Sequence, residues 1–433
     1  MNKLACVGGE AYRTHPLGLR TTLTTLDRDA AIEVLKKGDL SMFFGSPGQF
    51  FLGGEQVKKF EAAWAEKYDF KHAISVNSWT TGLMTALGAC GVGPGDEVIC
   101  TPFSMSATAT SILFYGGIPV FCDIEDETFN IDPQKIEALI TPRTKAIMLV
   151  HLFGHPADMD AIMKIARKHG LKVIEDAAHA PGVTYKGKSV GAIGDIGGFS
   201  LNYHKHIHSG EGGMLVTNDD KLALRSQLIR NHGENSIEAF QLDDLTNVIG
   251  SNYRLTELQA AIGLSQFGRL ESCLNHRYAL HKKFAAGLAQ IPGIRPAVIK
   301  EGCTHGFYIY PLKFDSAVFG LTRQQFVKAV NAEMPTPQTW EQTPFSEGYI
   351  RPLYLNPIYQ KKIALGSKGF PFNYNPGIEY NYAKGLCPVV ERIHEKELLI
   401  CPMLHEGTTL DDVQDLLNVI YKVYEHRHEL GTT

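Results

Sequence analysis

The 433-residue chain has no apolar run long enough to cross a bilayer, and its opening stretch MNKLACVGGEAYRTH lacks the apolar centre of a signal peptide. It also lacks an excess of either charge. A formal net charge of -4 supplies no basic field for nucleic acid and no polybasic patch for a membrane surface. Low-complexity tracts are missing, and 44% hydrophobic with 20% charged residues is an ordinary globular mixture. The eight cysteines (Cys6, Cys90, Cys100, Cys122, Cys273, Cys303, Cys387 and Cys401) include no C-x-x-C pair. Those inside apolar runs, such as Cys100 in EVICTPF, read as small buried hydrophobes. These absences point to a reducing cytoplasm, and the length calls for a large domain plus a smaller one.

The middle of the chain alternates strand and helix signals. Leu83, Ala86, Leu87 and Cys90 recur at helical spacing within 79–90. Short β-rich runs follow at 97–103, 118–124 and 146–152, with a helix over 156–169 opened by Pro156. LKVIED (171–176), FSLNY (199–203) and GMLVTN (213–218) add three more strands. Such interleaving predicts an α/β fold with a mostly parallel sheet covered by helices on both faces. Ligands bind such sheets beyond the carboxyl ends of the strands, so the residues that end these runs matter most.

Three of those ends carry chemistry. Asp176 closes LKVIED, Lys205 lies between FSLNY and the glycine-rich SGEGG (209–213), and Ser78 and Thr80 precede the helix of 79–90. The start of a helix is an anion site through its free N–H groups and dipole. An amine for a Schiff base, a phosphate cradle and a carboxylate to protonate a pyridine nitrogen together describe a site for pyridoxal 5'-phosphate (PLP). Taken singly, each has a plainer reading: a strand-terminal Asp caps a helix, and a lysine beside glycines is a solvated loop residue.

Order and context decide between these readings. GVGPGDEVI (91–99), TFNIDPQKIEALITPRTKAI (128–147), IEDAAHAPGVTYKGK (174–188), FSLNYHKHIHSGEGGMLVTND (199–219) and SNYRLTELQAAIGLSQ (251–266) follow one another over about residues 70 to 265. This stretch resembles the DegT/StrS-type sugar aminotransferases, a branch of the fold-type-I PLP enzymes. The resemblance implies a large PLP-binding domain over 1–266, with a seven-stranded-type sheet, and a smaller α+β domain over 267–433. It implies that Lys205, five residues before Gly210, carries the cofactor, that Asp176 binds the pyridine nitrogen, and that His179 lies by the ring. Ser200 then resembles a phosphate ligand, and Asn252 of the N-Y-R run a residue that reaches the neighbouring subunit's phosphate in a homodimer with shared sites. In sequence terms Asn252 is poorly placed to return to the cradle of its own chain; the plainer alternative is that it caps the helix beginning near Thr256.

The chain departs from the family pattern twice. The usual S-G-T phosphate turn reads Ser78-Trp79-Thr80, and Met105 stands where many relatives have an aromatic residue stacked on the PLP ring, with Phe103 two residues away. His204, His206 and His208 alternate, so an extended segment would line them on one face in imitation of a metal site. No carboxylate or cysteine accompanies them at matching spacing, and no metal is expected. Relatives with His in place of the lysine are sugar dehydratases; here the decisive position is Lys205.

The resemblance implies transfer of an amino group from L-glutamate to a keto-sugar in cell-surface polysaccharide (lipopolysaccharide) or amino-sugar biosynthesis, with the freed Lys205 amine as the base. The acceptor stays open between a nucleotide-linked 3-keto or 4-keto sugar, an eight-carbon 8-keto-3-deoxy-octulosonate-type sugar and a cyclitol ketone. A non-catalytic PLP-binding regulator stays open as well. Beyond about residue 267, strand 307–314 and helix 321–334 are expected, then a last helix from about 410 with Asp411 and Asp412 in its first turn. Residues 335–385, rich in Pro, Tyr, Phe and Asn without either period, read as an irregular substrate-facing or dimer-facing loop, or as an insertion packed on the small domain.

Overall fold

The structure, a computed structural model, describes residues 3–18, 20, 22–335 and 343–431. Its centre is a seven-stranded sheet: β1 (His72–Val76), β2 (Glu97–Cys100), β3 (Ile118–Phe121), β4 (Thr144–Val150), β5 (Lys172–Asp176), β6 (Ile196–Ser200) and β7 (Gly213–Thr217), in the order β1-β7-β6-β5-β4-β2-β3. All neighbours are parallel except β7, which runs antiparallel to both β1 and β6. The expected α/β fold with a mostly parallel sheet is therefore present. Side chains alternate across it as strand geometry requires. Ile74, Val98, Cys100, Met148 and Ile174 enter a core with helices α1 (Trp79–Ala89) and α2 (Ala107–Phe114). Ala73, Ile99, Ile147, Leu149 and Val173 enter a second core on the opposite face with helix α3 (Met159–His169).

Local chemistry moves two boundaries. Helix α3 starts at Met159 instead of Pro156, because the Asp158 side chain accepts from the Ala161 N–H at 3.3 Å and makes a better start signal than the proline. Strand β6 stops at Ser200, where FSLNY turns: the Asn202 N–H bonds Ser200 Oγ at 3.3 Å, and the Lys205 N–H bonds the Asn202 carbonyl at 2.9 Å. That turn carries Lys205.

Helix α4 (Glu257–Phe267) is followed by α5 (Leu270–Leu288), which leads to a four-stranded sheet of β8 (Ile294–Arg295), β9 (Tyr310–Phe314), β10 (Ser346–Glu347) and β11 (Leu398–Cys401), ordered β8-β9-β11-β10. A third core joins this sheet to α5, α6 (Arg323–Glu333) and α7 (Leu410–Glu425), and Leu4 and Leu17 from the N-terminal segment pack into it. The aromatic-rich stretch, described from residue 343 on, is split between the two sheets: Phe345 enters the third core, and most of the later aromatics lie on the large sheet. Tyr354, Tyr359, Phe372 and Tyr382 enter the first core. Tyr382 Oη donates to the Pro119 carbonyl at 2.9 Å, Tyr380 Oη to Glu97 at 2.8 Å, and the Leu353 N–H to the Pro102 carbonyl at 2.8 Å. Residues 336–342 of the expected loop lie outside the described residues.

Candidate active site at the carboxyl ends of the strands

Asp176 ends β5 in register with Val150 of β4 and Gly198 of β6, on the same face as Ile174. It is 4% exposed. Oδ1 accepts from the Trp79 indole N–H at 2.8 Å and from the Ala178 N–H at 3.2 Å, and Oδ2 accepts from the Thr108 hydroxyl at 2.9 Å. Burial pushes this carboxyl up, while Trp79, Thr108, the Ala178 N–H and the positive charge of Lys205 pull it back down. Lys205 and Asp176 thus feel each other's charge in one buried site.

Lys205 is 9% exposed, and its ammonium lies 3.9 Å from the centre of the Tyr308 ring, a cation–π contact. The His179 ring stacks on the same Tyr308, with centroids 4.2 Å apart and planes 18° from parallel. Burial holds His179 well below its ordinary range, helped by the charges of Lys205 and His206, so the ring is neutral at pH 7. Among the described residues, Nδ1 of His179 has no hydrogen-bond partner. Arg20 donates to the carbonyl oxygens of His204 and Lys205 and faces Glu406 at 3.3 Å. Glu406 also binds Arg277 Nε at 2.7 Å, and Arg277 donates to the Phe307 carbonyl at 2.7 Å. One carboxylate therefore ties the Lys205 turn to the segment carrying Tyr308.

The helix start at Ser78 leaves backbone N–H groups free at its first turn, the geometry an anion site needs. Ser78 caps α1 by accepting from the Thr81 N–H at 3.2 Å. A Cβ placed on Gly213 would come within 2.9 Å of the Trp79 backbone and 3.0 Å of Ser78, so β7 runs directly against this turn. Ser200 sits at the end of neighbouring β6, and Thr80 is exposed. The Trp79 side chain leaves the cradle: its ring is buried and bonds Asp176, so only its backbone remains at the turn. Met105 is 58% exposed, whereas Phe103 is fully buried and meets Tyr349 edge-on at 5.8 Å.

The three alternating histidines diverge, since residues 202–207 form turns and bends in place of an extended run. His204 is exposed and lies against Tyr203, His206 bonds the Gly306 carbonyl at 2.6 Å, and His208 bonds Thr22 at 2.5 Å. The backbone at Asn252 borders Asn77 of its own chain, where the Asn252 carbonyl accepts from Asn77 Nδ2 at 3.2 Å and the Tyr253 carbonyl accepts from the Asn77 N–H at 2.8 Å, while Asn252 itself is exposed. It caps no helix, for Thr256 and Gln259 close α4 with a capping box. Sequence reasoning missed Arg20, Thr108, Tyr308 and Glu406, which carry no motif and meet the site only through the fold.

These residues fit PLP: a buried carboxylate for a cationic ring nitrogen, an amine beside it, a buried histidine nitrogen with no hydrogen-bond partner among the described residues, and a helix start for the phosphate. Comparison with known proteins agrees. Residues 45–372 match the model of the DegT/DnrJ/EryC1/StrS aminotransferase family. The chain is 38% identical over 373 residues to the spore coat polysaccharide biosynthesis protein SpsC of Bacillus subtilis, covering 85% of this chain and 89% of that protein. It is 31% identical over 445 residues to the L-glutamine:2-deoxy-scyllo-inosose aminotransferase of Streptomyces fradiae, covering 100% of both. The X-ray structure of an aminotransferase from Psychrobacter cryohalolentis superposes with a TM-score of 0.79 at 30% identity, over 95% of this chain and 100% of that one. With a sheet, a lysine turn and a buried aspartate that suit the cofactor, the chain belongs to the DegT/DnrJ/EryC1/StrS family and is a PLP-dependent aminotransferase.

Proposed function

We propose that the enzyme moves an amino group from an L-amino acid to the ring ketone of a keto-sugar or cyclitol, with Lys205 as the residue that carries the cofactor and then serves as base. The observation that supports this most is the placing of the Lys205 amine, 3.9 Å from the Tyr308 ring and within the field of Asp176. When bound, PLP supplies an electron sink for the carbon that loses its proton. Lys205 Nζ, freed from the cofactor, would be the base that takes a proton from the substrate carbon and gives it back on the other side of the transfer. Asp176 would hold a proton on the ring nitrogen by its opposite charge. Neutral His179 offers Nδ1 at the edge of the site, and Ser78, Thr80 and Ser200 with the backbone of Trp79 would hold the phosphate. Met105 would supply a thioether in place of an aromatic face where relatives stack a ring on the cofactor.

The donor and acceptor are the finer part of this reading. L-glutamate with a keto-sugar of polysaccharide synthesis, in the cytoplasm, fits the likeness to SpsC. Alignment over 100% of both chains with an L-glutamine:2-deoxy-scyllo-inosose aminotransferase favours a second pair, L-glutamine and a keto-cyclitol. The purified yellow protein, mixed with each donor, should lose its colour with the true one; unchanged colour with every amino acid would mean a PLP-binding regulator. Screening amino-sugars and amino-cyclitols with a 2-oxo acid in the reverse direction then identifies the acceptor. The active unit in this reading is a homodimer. Mixed Lys205→Ala and Asn252→Asp chains regain activity if Asn252 serves the partner's site, and stay inactive if it serves its own.

A further inference from the structure

Trp79 stands where the related turn has glycine, and its neighbourhood is shaped around it. Gly82 lies one turn further along α1 and Gly198 opposite on β6, and a Cβ on either would lie well inside contact distance of the indole ring. The ring is held from two sides, so its N–H has one direction, toward Asp176 Oδ1 at 2.8 Å. An indole nitrogen only donates. Thr108 on α2 gives the other oxygen a hydroxyl donor at 2.9 Å and is itself fully buried. Each oxygen of one buried carboxylate therefore has its own side-chain donor, on different helices that both begin at the site.

We propose that Trp79 and Thr108 are positioning residues that clamp the Asp176 carboxylate, fixing its plane and keeping it ionised so that the protonation of the cofactor's ring nitrogen follows from this pair. The inference rests on the reading of Asp176 as the partner of that nitrogen. Burial alone would favour the neutral acid, which could not hold the proton on the ring. Two donors to the charged form oppose this, and hydrogen bonds to an ionised acceptor are the stronger kind. The clamp accounts for a bulky residue in a tight turn: Trp79 replaces glycine, and two other glycines make the room.

The test uses the holoenzyme and two readouts, the pH midpoint of the bound cofactor's visible absorption and the rate of the donor half-reaction. Trp79→Phe keeps most of the ring and removes the N–H. It should shift the midpoint in the same direction as Asp176→Asn, by less, and slow the half-reaction about ten- to a hundredfold, as expected for one hydrogen bond to a charged group. Thr108→Val should act likewise, and Thr108→Ser, which keeps the hydroxyl, should restore the wild-type midpoint. If Asp176→Asn itself leaves the midpoint unmoved, the reading of Asp176 fails. If Asp176→Asn moves it while Trp79→Phe and Thr108→Val match wild type, the clamp is overturned and Asp176 stands. Should Trp79→Phe fail to fold, the Thr108 pair decides alone: Val and Ser with equal midpoints overturn the clamp.

Discussion

Glu175 and Asp176 are neighbours on β5, both buried, yet they face opposite sides of the sheet and are treated in opposite ways. Glu175 lies on the face of Val173 and takes three donors: the Gly191 and Gly194 N–H groups at 2.7 and 2.5 Å and His151 Nε2 at 2.9 Å. His151 is oriented in turn, because its Nδ1 accepts from the Ala157 N–H at 3.0 Å. Every oxygen is committed to backbone or scaffold, so this acid staples loops. Asp176 takes side-chain donors from two helices and feels the charge of Lys205. One residue of register separates a carboxylate committed to the scaffold from the one proposed for the chemistry.

The contrast breaks most sharply at Lys205. Lys205→Ala should lower turnover by more than about 10⁴-fold, the upper range for a positioned base, with an unchanged fold by circular dichroism. Asp176→Asn should keep the cofactor and lose about 10²–10³-fold in kcat, as when one charge-stabilising contact at a reacting centre is removed. An unchanged kcat would make Asp176 a second staple like Glu175.

Histidine extends the comparison to pH. His155 is buried as a neutral ring with both nitrogens in use: Nδ1 donates to the Pro156 carbonyl at 2.7 Å, and Nε2 accepts from the Lys300 N–H at 3.1 Å. Burial, with the Lys300 charge, pushes it down to about 4 from 6.5. The unfolded chain therefore binds the proton first, so stability is full above pH 6.5 and falls as pH drops toward about 4, by roughly 3 kcal/mol for this group. Denaturant unfolding at stepped pH should show the fall, and His155→Gln should remove about one proton's worth of slope. Glu175→Gln should cost roughly 2 kcal/mol of stability, because an amide offers one acceptor where three donors converge, while kcat per folded molecule stays within about twofold. Smallest is Tyr382→Phe, which removes the bond to the Pro119 carbonyl and should cost about 1 kcal/mol in the same unfolding measurement.

The sheet and much of the candidate site were legible because they lie in ordered local patterns. Short apolar strands between helices announced the parallel sheet, and Asp176, Lys205 and Ser78 stood at strand and helix ends where chemistry collects. What stayed hidden depends on contacts distant in sequence. Trp79 reads as a misfit until Gly198, more than a hundred residues on, is seen to make room for it. Tyr308 sits in a run that reads only as a strand, and it reaches Lys205 because Glu406 and Arg277 hold its segment there. The alternation of His204, His206 and His208 misleads because the segment is not extended. The aromatic stretch has no period of its own; its tyrosines follow the surface of β2 and β3 on which they lie.

The central claim is that Lys205 is the residue bonded to PLP. Borohydride reduction of the purified holoenzyme, followed by digestion and peptide mass spectrometry, fixes the cofactor to whichever lysine carries it. The account predicts a single phosphopyridoxyl label on the peptide containing Lys205, lost in Lys205→Ala. A label on another lysine, or none on a protein that is visibly yellow, would contradict it.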